Sequence, residues 1–135
     1  MKYLDTSAFL KLLVREESSD AMVRSVEGGE LWSSTLLAVE AHRAALRLGV
    51  PVDEVDALLH EVSLVLPSAS TFNTAQHVGS HALRTLDALH LATALEIGDE
   101  LECVVTYDKR LGGTAAAVGL SVSAPGLDGD WWASP

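Results

Sequence analysis

Cysteine, aromatic residues and positive charge are all scarce in this chain of 135 residues. Cys103 is the only cysteine, which excludes an intrachain disulfide framework and a zinc site built from several thiolates. No apolar run approaches the roughly 20 residues that a membrane-spanning helix needs. The N-terminal segment also lacks the cleavage site of a secretion signal. These absences predict a cytoplasmic protein that has no membrane partner.

The shortage of positive charge bears directly on the kind of ligand. The chain has 9 Lys and Arg residues against 19 Asp and Glu residues, a net charge of −10. Such a surface repels nucleic acid, whose binding depends on basic side chains that contact phosphate. If the substrate is a nucleic acid, bound divalent cations or a basic surface formed by dimerisation must offset the repulsion.

The residues that are present predict one compact α/β domain spanning 1–135, with 125–135 as a C-terminal tail. Short apolar runs predict five strands: Lys2–Asp5, Leu31–Ser33, Ser63–Leu66, Cys103–Thr106 and Leu120–Ser123. Helices are predicted over Ala8–Val14, Ser18–Glu27, Leu36–Leu48, Val52–Val62, Ser70–Val78, Leu86–Ile97 and Lys109–Val118. Strands that alternate with helices indicate a three-layer fold, in which helices flank a mostly parallel central sheet of about five strands.

Two details of these helices are specific enough to test. Thr85 is predicted to cap the N-terminus of the helix over Leu86–Ile97, because threonine is favoured at that position. Gly112-Gly113 are predicted to weaken or kink the final helix, because glycine has a low helix propensity.

Four carboxylates are predicted to meet at one edge of this sheet. Asp5 and Asp108 each follow a short apolar run, at the edge where open parallel sheets bind ligands. Asp87 lies in the first turn of a helix that begins at the same edge, and Glu40 lies in the helix after the second strand. Clustered carboxylates repel one another unless a cation lies between them, and oxygen ligands suit Mg²⁺ or Mn²⁺. A metal held in this way activates water for in-line attack on a phosphate.

Each of these acids also has a purely structural interpretation. Asp5 and Asp108 stand where an aspartate caps a helix. Asp87 in a first turn would complement the helix dipole, and most glutamates in the middle of a helix, such as Glu40, are solvated. The functional interpretation therefore depends on all four acids lying at matching topological positions.

Four segments together resemble the motifs of one protein family. They are YLDTSAFLKL with Asp5 beside Thr6 and Ser7, VEAHRAAL with Glu40 and Arg43, LDALHLATAL with Asp87 and His90, and VVTYDKRL with Thr106 and Asp108. In this order and spacing, the sequence resembles the PIN-domain family, and within it the VapC-type toxins of bacterial toxin–antitoxin pairs.

The resemblance implies a PIN-like fold and a Mg²⁺- or Mn²⁺-dependent endoribonuclease that cleaves structured RNA, either tRNA or rRNA, and so inhibits translation. It implies a homodimer that joins a VapB-like antitoxin in a heterotetramer or larger assembly. It assigns catalysis and metal binding to the four acids, and secondary roles to Thr6, Arg43 and Thr106. The alternative hypothesis is a non-catalytic PIN-like module that binds RNA or a partner protein, which the charge of −10 leaves open.

Several further residues have two interpretations each. Arg43 either contacts phosphate or forms an ion pair with Glu40 or another acid, and pairing is favoured. His90 is expected to pack on a helix face rather than to act as a base. Lys109 and Arg110 either hold RNA or are simply solvated. Trp131-Trp132 are expected to pack on the domain itself or on a partner.

Overall fold

The computed structural model of the chain describes residues 1–133. One sheet contains five strands, all parallel, in the order β3-β2-β1-β4-β5. The strands are β1 Lys2–Leu4, β2 Leu31–Ser34, β3 Val62–Val65, β4 Cys103–Val105 and β5 Val122–Ser123. The helices are α1 Thr6–Leu13, α2 Ser19–Val26, α3 Leu36–Leu48, α4 Val52–Leu59, α5 Ala69–Ala75, α6 Thr85–Ile97 and α7 Lys109–Ala117, with short 3₁₀ turns at Gly98–Glu100 and Trp131–Ala133. The predicted α/β class with a parallel central sheet is confirmed.

Helices cover the central strands on both faces. Tyr3 and Val104 are neighbours in adjacent strands and pack with Ala94 of α6. Leu4 and Val105 are the next pair and belong to a larger cluster that includes Phe9 of α1. Successive residues of a strand point to opposite faces of its sheet. Apolar residues at consecutive positions therefore match strands that are buried on both sides.

The register of the sheet brings the ends of β1 and β4 to one edge. Leu4 lies opposite Val105, so Asp5 and Thr106 are the next residues on neighbouring strands. Helix α1 begins at once after Asp5, whose Oδ1 accepts a hydrogen bond from the Ala8 amide at 2.9 Å. Two parallel strands that end together thus deliver one acid and one hydroxyl to the same edge.

Several predicted helix boundaries are wrong, among them the end of the helix over Ser70–Val78, which stops at Ala75, and two others matter for the sheet and the site. The helix predicted over Val52–Val62 ends at Leu59, because Val62 begins β3 and pairs with Leu31. Thr85 is the first residue of α6 rather than its N-cap. Arg84 holds the N-cap position, with extended backbone and no side-chain capping bond.

The predicted kink at Gly112-Gly113 is also wrong, since α7 runs without interruption through both glycines. The C-terminal segment explains why a small residue is useful there. A Cβ atom on Gly112 would lie 3.3 Å from Cζ2 of Trp131, whose side chain is buried. Trp131 thus packs on its own chain, and the last two residues of the predicted tail, 134 and 135, lie outside the described residues.

Within residues 1–133, no helix is both long enough and apolar enough to span a membrane.

Candidate active site

The four predicted acids line one cavity of about 470 Å³ at the edge of the sheet where β1 and β4 end. Thr6 and Arg43, two of the three secondary candidates, also line it, and the third, Thr106, lies fully buried behind Asp5. Lys109 and Arg110 are exposed in the first turn of α7 and are not part of the cavity wall. The fold therefore brings together acids that are up to 103 positions apart in the sequence.

Asp5 is buried and held from both sides. Its Oδ1 accepts hydrogen bonds from the Ser7 hydroxyl at 2.7 Å and from the Ala8 amide at 2.9 Å. Its Oδ2 accepts one from Thr106 Oγ1 at 2.5 Å. Burial nevertheless raises the pKa of the Asp5 carboxyl, because these donors only partly replace the lost hydration. The site therefore fixes the position of Asp5 and leaves its negative charge without a full counter-charge.

Thr106 and Ser7 connect the first and fourth motif segments. The Thr106 hydroxyl donates to Asp5 and accepts a hydrogen bond from the Asp108 amide at 3.0 Å. The Ser7 hydroxyl accepts one from the Tyr107 amide at 2.8 Å. Ser7 had no predicted role, although its place two residues after Asp5 was a signal in the sequence. These short polar side chains set the distance between α1 and the loop that precedes α7.

Asp108 combines both of its predicted interpretations. Its Oδ1 caps α7 by accepting a hydrogen bond from the Leu111 amide at 3.0 Å. Its Oδ2 faces the cavity and contacts Arg84. The helix cap and the position in the cavity wall are therefore compatible, because each uses a different oxygen.

Glu40 is positioned by a buried hydrogen-bonded chain. Its Oε1 lies 2.6 Å from His90 Nε2, and His90 Nδ1 lies 2.8 Å from the Tyr3 hydroxyl. Burial opposes ionisation of Glu40, but the interaction with His90, together with smaller contributions from Thr6 and Arg84, outweighs burial and lowers the pKa of this carboxyl. His90 is 1% exposed, so it does pack inside the protein as predicted, but it also orients Glu40. Tyr3 gave no functional signal, because a tyrosine in an apolar strand is typical of a core residue.

Arg84 links the remaining two acids and was missed by the sequence analysis. Its Nε donates to Asp87 Oδ2 and its Nη2 to Asp108 Oδ2, both at 3.0 Å. Burial still raises the pKa of Asp87, although Arg84 works in the opposite direction. The only sequence signal was an arginine three residues before Asp87, a spacing at which side chains on a helix meet.

Arg43 is exposed at the cavity wall. The favoured prediction of an ion pair with Glu40 or another acid is wrong, since Arg43 makes no ion pair within the described part of the chain. Arg43 therefore remains available to a ligand that enters the cavity.

The donor set matches a hard divalent cation in chemistry, since carboxylate oxygens are the ligands that Mg²⁺ and Mn²⁺ prefer. Burial of Asp5 and Asp87 adds to the match, because a cation would stabilise the charge that burial disfavours. In the arrangement of residues 1–133, however, no group of three His, Cys, Asp or Glu side chains is placed so that it could hold an ion. Arg84, a monovalent cation, contacts two of the four acids instead.

Comparisons with known proteins identify the family of this chain. The sequence model of the PIN domain family matches residues 2–117. Ribonuclease VapC47 of Mycobacterium tuberculosis is 35% identical over 133 residues, which span 93% of this chain and 98% of that protein. Ribonuclease VapC35 of the same species is 40% identical over 134 residues, again 93% of this chain and 98% of that protein.

Solved structures share the fold at low sequence identity. Mycobacterium tuberculosis VapC20, described as a Sarcin-Ricin loop cleaving toxin, superposes with a TM-score of 0.71 at 17% identity, over 93% of this chain and all of that chain. FitAcB from Neisseria gonorrhoeae superposes with a TM-score of 0.62 at 16% identity, over 93% and 98% of the two chains. The sequence match and the fold define this chain as a member of the PIN-domain family. Within that family, its relatives at 34–40% identity over most of its length place it with the VapC type.

Proposed function

We propose that this chain is a metal-dependent endoribonuclease and the toxin of a toxin–antitoxin pair. The observation that carries the proposal is that Asp5, Glu40, Asp87 and Asp108 line one cavity. A fold that keeps buried carboxylates against the cost of burying them is typical of a functional site rather than of a structural one. The relatives named Ribonuclease VapC support the same activity.

The four acids are the proposed ligands of the metal. Asp5 is held by the Ser7 and Thr106 hydroxyls, and Glu40 is held by His90, so both present fixed oxygens to the cavity. These two acids, with Asp87 and Asp108, would hold Mg²⁺ or Mn²⁺. When bound, such an ion supplies an activated water and stabilises charge on the phosphate during in-line displacement.

The proposed substrate is structured RNA, either tRNA or rRNA, cleaved in the cytoplasm so that translation stops. Its support is the fold shared with VapC20, whose description names sarcin–ricin loop cleavage. Arg43 and Arg47 line the cavity and would contact phosphate there, despite the net charge of −10. The proposed partners are a second copy of the chain and a VapB-like antitoxin, joined in a heterotetramer or larger assembly.

The test uses the purified chain without its antitoxin. Structured RNAs are incubated with Mg²⁺, Mn²⁺ or a chelator, for the parent, for Asp5→Asn and for Asp53→Asn. Asp53 is an exposed acid of α4 outside the cavity, so Asp53→Asn is a matched control for the loss of one negative charge. We expect cleavage by the parent and by Asp53→Asn only when metal is present, and none by Asp5→Asn. If parent and Asp5→Asn both bind RNA and neither cleaves it with either metal, the alternative non-catalytic module is correct.

A further inference from the structure

We infer that Arg84 is an internal counter-ion of the acidic cavity, which a divalent cation must displace from Asp87 and Asp108 in order to bind. The inference rests on the proposed function, since it presupposes that the cavity takes a metal. Arg84 would compete with the metal for the same oxygen atoms. The affinity of the cavity for the metal would therefore depend on Arg84.

Arg84 contacts one carboxylate oxygen of Asp108 and one of Asp87. Arg84 Nη2 lies 3.0 Å from Asp108 Oδ2, whereas Asp108 Oδ1 already accepts a hydrogen bond from the Leu111 amide. The guanidinium therefore contacts the oxygen of Asp108 that is not used in the helix cap. On the other side, Arg84 Nε lies 3.0 Å from Oδ2 of Asp87. One side chain thus engages an oxygen of each acid that a metal would need.

The shape of the guanidinium explains why it can do this. Its donors form a rigid planar fork, so Nε and Nη2 can address two carboxylates at the same time. The two acids come from different elements, the first turn of α6 and the N-cap of α7. Arg84 therefore holds these elements together at the cavity when two negative charges would otherwise repel each other.

Differences in exposure show which partner would move. The Arg84 side chain is 66% exposed, whereas the side chains of Asp87 and Asp108 are 12% and 24% exposed. The acids are anchored in the wall of the cavity, and the arginine reaches them from the solvent side. The arginine member of each ion pair is open to solvent, which weakens the pair, and Arg84 makes no side-chain capping bond at the start of α6 that would retain it. Rotation of this side chain clears both oxygens without a change in the backbone.

The experiment measures binding of Mn²⁺ alone, by electron paramagnetic resonance of the free ion, to the parent, Arg84→Gln and Arg47→Gln. Arg47 lines the same cavity and makes no ion pair within the described residues, so Arg47→Gln reports the simple loss of one positive charge. We expect Arg84→Gln to bind Mn²⁺ about three- to tenfold more tightly, which corresponds to removal of two partly exposed ion pairs. We expect a clearly smaller change for Arg47→Gln.

A second measurement uses the unmodified protein. The Nε–H signal of Arg84 is followed by ¹H–¹⁵N NMR during titration with Mg²⁺, and its absence from the spectrum of Arg84→Gln assigns it. We expect this signal to move toward the position of a solvent-exposed arginine as Mg²⁺ saturates the site. An unchanged signal at saturation, or unchanged or weaker Mn²⁺ binding by Arg84→Gln, overturns the inference while metal binding itself stands. Failure of both parent and Arg84→Gln to bind Mn²⁺ overturns the proposed metal dependence, and the inference with it.

Discussion

At the scale of single residues, Asp5 shows how one side chain meets a structural and a proposed chemical demand. It caps α1 through the Ala8 amide, which satisfies a donor that the helix leaves free. The same carboxylate is 3% exposed and lines the acidic cavity. The cap needs only an oxygen acceptor, whereas a metal needs the negative charge. The charge is therefore the part of Asp5 that the fold retains at a cost.

This difference predicts that Asp5→Asn stabilises the metal-free protein. Asparagine keeps the capping oxygen and removes the buried charge. The free energy of unfolding at about pH 7 should therefore rise by about 1 kcal/mol, as is common when a destabilising residue of a functional site is replaced. The measurement is urea denaturation in a chelator, with Asp53→Asn as the exposed control.

The pH dependence of this effect has a definite sign. Burial raises the pKa of Asp5 in the folded state, so the folded protein binds the proton more tightly than the unfolded chain does. Stability of the parent therefore falls as pH rises through the pKa of folded Asp5. The advantage of Asp5→Asn should be largest near neutral pH and should shrink as the solution is acidified. A variant that is less stable than the parent at neutral pH would show that the hydrogen bonds to the charged Asp5 outweigh its burial.

At the scale of elements, α7 joins the cavity to the C-terminal segment. Its N-cap, Asp108, lines the cavity, and one turn later Gly112 faces Trp131. A Cβ atom on Gly112 would lie 3.3 Å from the Trp131 ring, which is tight. A Cβ atom on Gly113 would lie 3.6 Å from Trp132 Cδ1, which is ordinary contact. Two adjacent glycines in one helix thus meet different surroundings.

The two glycines form a matched pair for mutation. Gly113→Ala should raise the free energy of unfolding by about 0.5–1 kcal/mol, because alanine loses less backbone entropy in a helix. Gly112→Ala should gain clearly less, because its methyl group pushes against the buried Trp131 ring. Chemical denaturation of both variants beside the parent measures the difference. Equal gains would mean that the C-terminal segment does not constrain α7.

At the scale of the whole molecule, the distribution of charge matters more than its sum. The net charge is −10, yet Arg43, Arg47 and Arg84 all line the acidic cavity. A repulsive surface with a local group of arginines favours contact with phosphate at the cavity alone. A divalent cation would strengthen that contact, since it neutralises the acids and, by our inference, releases Arg84.

This distribution predicts that RNA binding depends on both metal and the local arginines. Affinity for a labelled structured RNA should fall in a chelator and in Arg43→Gln, and loss of this phosphate contact should reduce the salt slope of binding by about 1. Arg24→Gln, an exposed change on α2 away from the cavity, should bind as the parent does. Fluorescence anisotropy at low temperature measures the affinity, and a gel confirms that the RNA stays intact. Binding that is equal with and without Mg²⁺ would contradict the prediction.

The sequence by itself determined the class of fold and the meeting of the four acids. Apolar runs and helical periodicity are local patterns, so they predicted the parallel sheet and the helices around it. Because parallel strands end at one edge, the positions of Asp5 and Asp108 after apolar runs were enough to place both acids there. Glu40 and Asp87 were expected at the same edge because their helices begin there, and the structure places all four acids in one cavity.

Only the tertiary structure decided how the acids are held. Arg84 reaches Asp108 across 24 positions and Tyr3 reaches His90 across 87, and no local pattern records such pairs. The helix boundary at Arg84 was missed for a related reason. Capping preferences favour threonine at that position, whereas the structure places there an arginine that contacts two acids. Strands and helices follow from neighbouring residues, but the electrostatic balance of the cavity depends on side chains that only the complete fold brings together.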